Sequence, residues 1–248
     1  MKTRSGNREA IGQLKAITDE LVRALGDLHF AGPVSVVYNP LEYARSAYDT
    51  YLERYAGPPK EAVLIGMNPG PWGMAQTGVP FGEIGIVRDW LGITADIAAP
   101  ARTHPKRPVQ GFACTRSEVS GRRLWGWIRE TFVDPQRFFR RFFVANYCPL
   151  LFLEENGRNR TPNNLKASER KALQAVCDAA LRRTMEVLQP RFVVGVGRFA
   201  GHRAREALVG TGIAVDEILH PSPANPRANR GWAQQAAAQL SAMGIRLP

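Results

Sequence analysis

Three uncharged polar side chains, Asn68, Asn146 and His220, each lie at or just beyond the end of a short apolar run. MNPGPWG follows from AVLIG (62–66), NYCPL from FFVANY (142–147), and HPSPANP closes EILH (217–220). Carboxamides and a neutral imidazole donate and accept hydrogen bonds without carrying charge. Such groups suit hydrogen-bonded contact with a polar ligand more than strong base chemistry. Each also has a plainer reading. Asn-Pro-Gly is a turn sequence in its own right, Asn146 could satisfy only backbone groups, and His220 could be a structural, hydrogen-bonded histidine. The stretch GMNPGPWGMAQTGVPFGE (66–83) goes beyond a turn. Trp72, Met74 and Phe81 are costly to leave in water, so they are expected to line a pocket or cap the core.

For these residues to act together, the elements beneath them must bring them to one place. Four apolar runs, AVLIG, FFVANY, RFVVGVG (191–197) and EILH, alternate with helical patterns. The helical patterns are GEIGIVRDWLG, SGRRLWGWIRE, ASERKALQAVCDAALRRTMEVL, GRFAGHRAREAL and RGWAQQAAAQLSAM. Two further helical stretches, 9–28 and 41–56, open the chain. Strands alternating with helices imply right-handed βαβ units and a parallel sheet covered on both faces, whose strands are apolar throughout. In open α/β sheets ligands bind outside the carboxyl ends of the strands. Asn68, Asn146 and His220 should therefore converge on one crevice. The expected organisation is one α/β domain over 1–248, with 1–37 as an N-terminal helical extension.

Composition narrows the function. The chain has 248 residues, 44% hydrophobic, and 33 Lys+Arg against 22 Asp+Glu, a net charge of +11. An excess that is mostly arginine suits a polyanion, nucleic acid first, although a merely basic surface would look the same. Cys114, Cys148 and Cys177 are widely spaced, which disfavours a zinc site, an iron–sulfur cluster or a disulfide framework and fits a reducing compartment. No ligand spacing suits a metal, and no cofactor is expected. The first residues lack the apolar core of a signal peptide, and no run reaches membrane-spanning length, so a soluble, non-membrane protein is expected. Gly195, Gly197 and Gly201 form GxGxxxG before a helix, with Asp216 and Glu217 about twenty residues on. Those acids precede an apolar run instead of ending a strand, and the strand is third in the chain, which disfavours a dinucleotide site. RTHPKRP (102–108) and PRANR (226–230) could be solvated faces or could follow phosphates.

GMNPGPWGMAQTGVPFGE, HPKRPV, SEVSG, NYCPL and HPSPANPRANRGW, in this order, resemble the single-strand-selective monofunctional uracil-DNA glycosylases, family three of the uracil-DNA glycosylase superfamily. The resemblance spans 38–232. It implies a three-layer α/β/α sandwich around a four-stranded, mainly parallel sheet. It also implies DNA repair by hydrolysis of the N-glycosidic bond of uracil and oxidised uracils of the 5-hydroxymethyl type. Single- and double-stranded DNA would both serve, leaving an abasic site and the free base without cutting the strand. Carried over residue by residue, it makes Asn68 and His220 catalytic. Met67, Gly70, Phe81 and Asn146 become the base-binding residues, and Ser222, Asn225, Arg227, Asn229 and Arg230 the DNA contacts. The family commonly has an arginine after HPSP; here it is Ala224. A monomer is expected, cytoplasmic in a bacterium and nuclear in a eukaryote. The alternatives are a related glycosylase for deaminated purines, or a single-strand DNA-binding protein without turnover.

Overall fold

The computed structural model describes residues 2–248. Its strands are β1 (Val34–Tyr38), β2 (Ala62–Gly66), β3 (Phe142–Asn146), β4 (Leu151–Glu154), β5 (Asn159–Arg160), β6 (Phe192–Val196) and β7 (Ala214–Ile218). Its α-helices are α1 (Lys2–Gly26), α2 (Pro40–Tyr43), α3 (Arg45–Tyr55), α4 (Met74–Thr77), α5 (Val119–Phe132), α6 (Pro135–Phe139), α7 (Ala167–Leu188), α8 (Arg198–Ala207) and α9 (Trp232–Ala242).

The central sheet is parallel, in the order β3-β2-β6-β7. β2 is buried along its whole length, as the continuous apolar run AVLIG requires of a strand covered on both faces. Adjacent residues of β3 show the two layers. Phe142 packs against Phe132 of α5 and Phe138 of α6, whereas Phe143 stacks on Tyr51 of α3, with 5.0 Å between ring centroids. α9 packs on β7 beside α5, and α8 packs on β6 and β7 from the other face. α1 lies against α7 and α3, and its Leu14 and Leu25 join the main core.

Two expectations shift in register or type. EILH was expected as the fourth strand, but β7 runs from Ala214 to Ile218 and leaves His220 two residues past its end. β7 alternates exposed and half-covered positions before Ile218, so only its last residues look like an apolar run. GEIGIVRDWLG gives a single π-helical turn, Ile86–Trp90, stopped by Gly92 at φ +63°. A second sheet, β1-β4-β5 and antiparallel, lies outside the expectation altogether. It carries Asn159 to the site described below.

The GxGxxxG segment serves packing. A Cβ at Gly195 would stand 2.1 Å from the Gly201 nitrogen, so β6 and α8 touch backbone to backbone. Gly195→Ala should therefore destabilise the fold by at least about 1–3 kcal/mol through overpacking, read as a lowered midpoint in chemical denaturation.

Candidate active site

The carboxyl ends of β2, β3 and β7 bring Asn68, Asn146 and His220 around one cavity of about 180 Å³. Met67, Gly70, Met74, Phe81 and Glu118 complete most of its wall. Parallel register sets the first two residues in place, because Gly66 pairs with Asn146. The pairing continues past the strands, with Tyr147 N–H donating to Gly66 C=O and Cys148 N–H to Met67 C=O, both at 2.9 Å. This continuation carries the chain round to Leu150, whose carbonyl accepts from Asn68 Nδ2 at 3.1 Å. The amide is thus fixed in one orientation, and Asn68 Oδ1 accepts no hydrogen bond among the described residues.

Asn146 is turned by an unusual partner. Its Nδ2 donates to the Met74 thioether at 3.2 Å. Sulfur is a weak acceptor, so this bond orients the amide while leaving it able to exchange partners. A Cβ at Gly66 would lie 2.4 Å from Asn146 Oδ1 and 2.4 Å from the Phe81 ring. Only glycine lets both groups converge there. Phe81 is held in the left-handed region, at φ +54°. For a non-glycine residue that strain costs on the order of 1–3 kcal/mol. It is sustained by packing: a Cβ at Gly121 would meet the Phe81 carbonyl oxygen at 2.0 Å, and Trp125 Nε1 donates to Pro80 C=O at 3.1 Å.

His220 Nδ1 accepts from the Ser222 N–H at 3.0 Å. Its proton is therefore on Nε2, and the ring lies with its centroid 6.3 Å from that of Phe81. Burial pulls its pKa down to about 4, so the imidazole is neutral at ordinary pH. Gly197, at φ +95°, is the floor under this ring: a Cβ there would come within 2.9 Å of the His220 Cβ. The loop bearing His220 is braced from behind. Trp232 Nε1 donates to Leu219 C=O at 2.6 Å, and Arg123 donates to Pro221 C=O at 3.2 Å and Asn229 Oδ1 at 2.8 Å.

Met67 and Gly70 line the cavity, and their N–H groups enter none of the turn and loop hydrogen bonds among the described residues. Ser222, Asn225, Arg227, Asn229 and Arg230 lie on the loop after His220. Arg227 and Arg230 point into solvent, whereas Asn229 spends its oxygen on Arg123 and its Nδ2 on Pro223 C=O at 3.0 Å. Ser222 Oγ and Asn225 Oδ1 cap N–H groups within the same loop. Of the three apolar residues expected at the pocket, Met74 and Phe81 line it; Trp72 lies outside its wall, against Arg107 and Arg116.

Several wall residues carried no expected role. Glu118 is a carboxylate inside an otherwise uncharged cavity, raised in pKa by desolvation, with the N–H groups of Ser120 and Trp72 opposing the shift. Its motif, SEVSG, was visible, but nothing in the spacing assigned it work. Asn159 and Thr161 arrive from the second sheet. Lys60 stands at the opposite end of β2, buried, its Nζ donating to the carbonyls of Tyr55 and Phe139. Among the described residues, no group of three His, Cys, Asp or Glu is placed to hold a metal, and no helix is long and apolar enough to cross a membrane.

Comparison with known proteins gives the family. The model of the uracil DNA glycosylase superfamily matches residues 54–240. The single-strand selective monofunctional uracil-DNA glycosylase of Rattus norvegicus is 52% identical over 223 residues, 89% of this chain and 80% of the rat protein. The Bos taurus protein of the same name is 51% identical, covering 89% of this chain and 82% of its own. The crystal structure of wild-type Pedobacter heparinus SMUG2 has the same fold, with a TM-score of 0.58 at 16% identity, over 92% of this chain and 97% of that one. Fold, sequence and the cavity at the strand ends together place the chain in the uracil-DNA glycosylase superfamily, in its single-strand-selective monofunctional branch.

Proposed function

We propose that this protein releases uracil, and oxidised uracils of the 5-hydroxymethyl type, from DNA by hydrolysis of the N-glycosidic bond, with single strands the preferred substrate. The observation that carries this reading is the meeting of Asn68, Asn146, Phe81 and His220 around one cavity of about 180 Å³. A base reaches such a site only by leaving the stack, as glycosylases as a class require of their substrates. Phe81 receives the ring face, a contact worth roughly 1–3 kcal/mol. Asn146 reads the edge: its oxygen accepts from N3–H and its amide donates to O4. Cytosine presents the reverse pattern and leaves both groups unpaired, at about 1–3 kcal/mol each.

As the bond breaks, negative charge collects on the departing base and the sugar becomes cation-like. His220 presents Nε2–H to the O2 edge as a neutral donor, joined by the N–H groups at Met67 and Gly70. Asn68 Oδ1, held outward by the bond to Leu150, aligns the attacking water. An amide is too weak a base to take the proton outright, so the rate rests on positioning and electrostatics. Among the described residues no lysine stands in the cavity wall, which supports a glycosylase that leaves the strand uncut, since strand cleavage through a Schiff base needs an amine at the sugar. Ala224 takes the place of a wedge side chain, and an alanine fills little of the gap left in a duplex; this favours single strands. The expected assembly is a monomer, acting where DNA is kept.

Incubation with a uracil-containing oligonucleotide followed by alkali tests the reading. The wild type should cut single strands at the uracil, and His220→Leu should lose about 10²–10³ in kcat, the usual loss for one anion-stabilising donor. Binding without release by the wild type would leave only a strand-binding protein. Ala224→Arg should raise release from G·U and A·U duplexes relative to single strands; an unchanged ratio would remove the wedge argument.

The neutral histidine also has a thermodynamic signature. Below about pH 6.5 the unfolded chain takes up a proton at His220 that the folded chain refuses until about pH 4. Stability is therefore complete above that window and declines as pH falls through it, by up to about 3 kcal/mol. Denaturant titrations should show this slope reduced in His220→Leu, and kcat should show no inflection from this group between pH 5 and 8.

A further inference from the structure

Beside the cavity, Trp72 holds two guanidinium groups. The Arg107 guanidinium carbon lies 5.3 Å from the indole centroid and that of Arg116 lies 4.6 Å from it. Among the described residues neither arginine forms an ion pair with a carboxylate. Two cations gathered at one ring repel each other, and a cation–π contact at such a site returns only about 0.5–1 kcal/mol. Arg107 Nε is in addition buried without a hydrogen-bond partner. A cluster of this kind is completed by an anion brought from outside.

The support beneath it is rigid. Tyr38 Oη donates to Arg107 C=O and accepts from His104 N–H, both at 2.7 Å. His104 is buried, with Nε2 donating to the carbonyls of Glu154 and Glu155 at 3.0 and 3.2 Å. Gln76, in α4, joins this loop to the cavity wall: its Nε2 donates to Pro71 C=O at 2.8 Å and Pro108 C=O at 3.0 Å. The 104–108 loop, Trp72 and the residues lining the cavity therefore form one connected body. Arg116 reaches the ring from the segment leading to Glu118, itself part of the cavity wall.

We propose that Arg107 and Arg116, carried on Trp72, clamp the phosphate backbone of a single DNA strand beside the nucleotide that enters the cavity. This rests on the reading that the cavity receives a flipped base. The clamp lies at the loop after β2, two strands across the sheet from the loop after β7 that bears Arg227 and Arg230. A strand crossing the cavity would meet positive charge at both loops, and its hold would not depend on filling a gap in a duplex, which Ala224 cannot do. Arginine at a rigid site favours two-point contact with phosphate.

The salt dependence of binding tests the clamp separately from catalysis. The probe is a fluorescently labelled, uracil-free single-stranded oligonucleotide, followed by anisotropy over a range of NaCl concentrations. For single strands the slope of log K against log salt changes by roughly 0.7 per phosphate contact. Arg116→Gln should lower the wild-type slope by about 0.7 and the double variant with Arg107→Gln by about 1.4. Trp72→Ala should weaken binding in the same direction, and Trp72→Phe should restore most of it. Arg116 is exposed, so its substitution cannot be confused with misfolding. Slopes equal to the wild type in Arg116→Gln and in the double variant would overturn the clamp. A wild type that binds with the full slope but releases no uracil would instead overturn the catalytic reading and leave the clamp standing.

Discussion

At the end of β2 a side chain is missing where two others need room, and the cavity depends on that vacancy. Parallel pairing sets Gly66 beside Asn146, and the Phe81 ring closes over the same point, each within 2.4 Å of where a Cβ would be. Any side chain at 66 would drive the Phe81 ring away from the Asn146 carboxamide. The place of Asn146 beside Gly66 is therefore set by sheet register, which is fixed by the core. The strain at Phe81 belongs to the same constraint. The ring reaches its place only with its backbone in an unfavourable conformation, and α5 packs against that backbone closely enough to hold it.

Electrostatics divide the molecule in a complementary way. The surface carries a large positive excess, while the cavity is nearly uncharged: amides, a thioether, an aromatic ring and an imidazole kept neutral by burial. Long-range attraction brings a polyanion to the surface and then stops discriminating, and recognition passes to short, directional contacts inside. Glu118 is the exception. A desolvated carboxylate close to Gly70 and Gly73 resists ionisation, and the N–H groups of Ser120 and Trp72 support what charge it has.

Much of this was legible before any coordinates, for reasons that differ by element. β2, β3 and β6 are continuous apolar runs, and a strand buried on both faces has no other way to look. β7 leaves one face exposed and alternates, so its register was misplaced by about three residues. The antiparallel sheet was passed over because β4 follows β3 after only four residues and β5 is two residues long. With that sheet went Asn159 and Thr161. The meeting of Asn68, Asn146 and His220 was readable because strand-end position in a parallel sheet is a topological fact. The tether from Asn68 to Leu150, the sulfur contact of Asn146 and the commitment of Asn229 to Arg123 depend on three-dimensional neighbours that no spacing encodes. The glycines of GxGxxxG, disfavoured above as a dinucleotide site, serve packing: two of them close a helix on a strand and the third makes space under an imidazole.

The chain uses the same small turn twice. In His104-Pro105-Lys106 and in His220-Pro221-Ser222, a ring nitrogen accepts from the amide two residues on, and the proton is confined to the far side of the ring. At His104 that far side is plugged by two peptide oxygens and the result is a rivet. His220, by contrast, is part of the cavity wall. A three-residue word thus has no fixed meaning; the neighbourhood facing the free nitrogen decides whether it fastens the fold or faces a cavity.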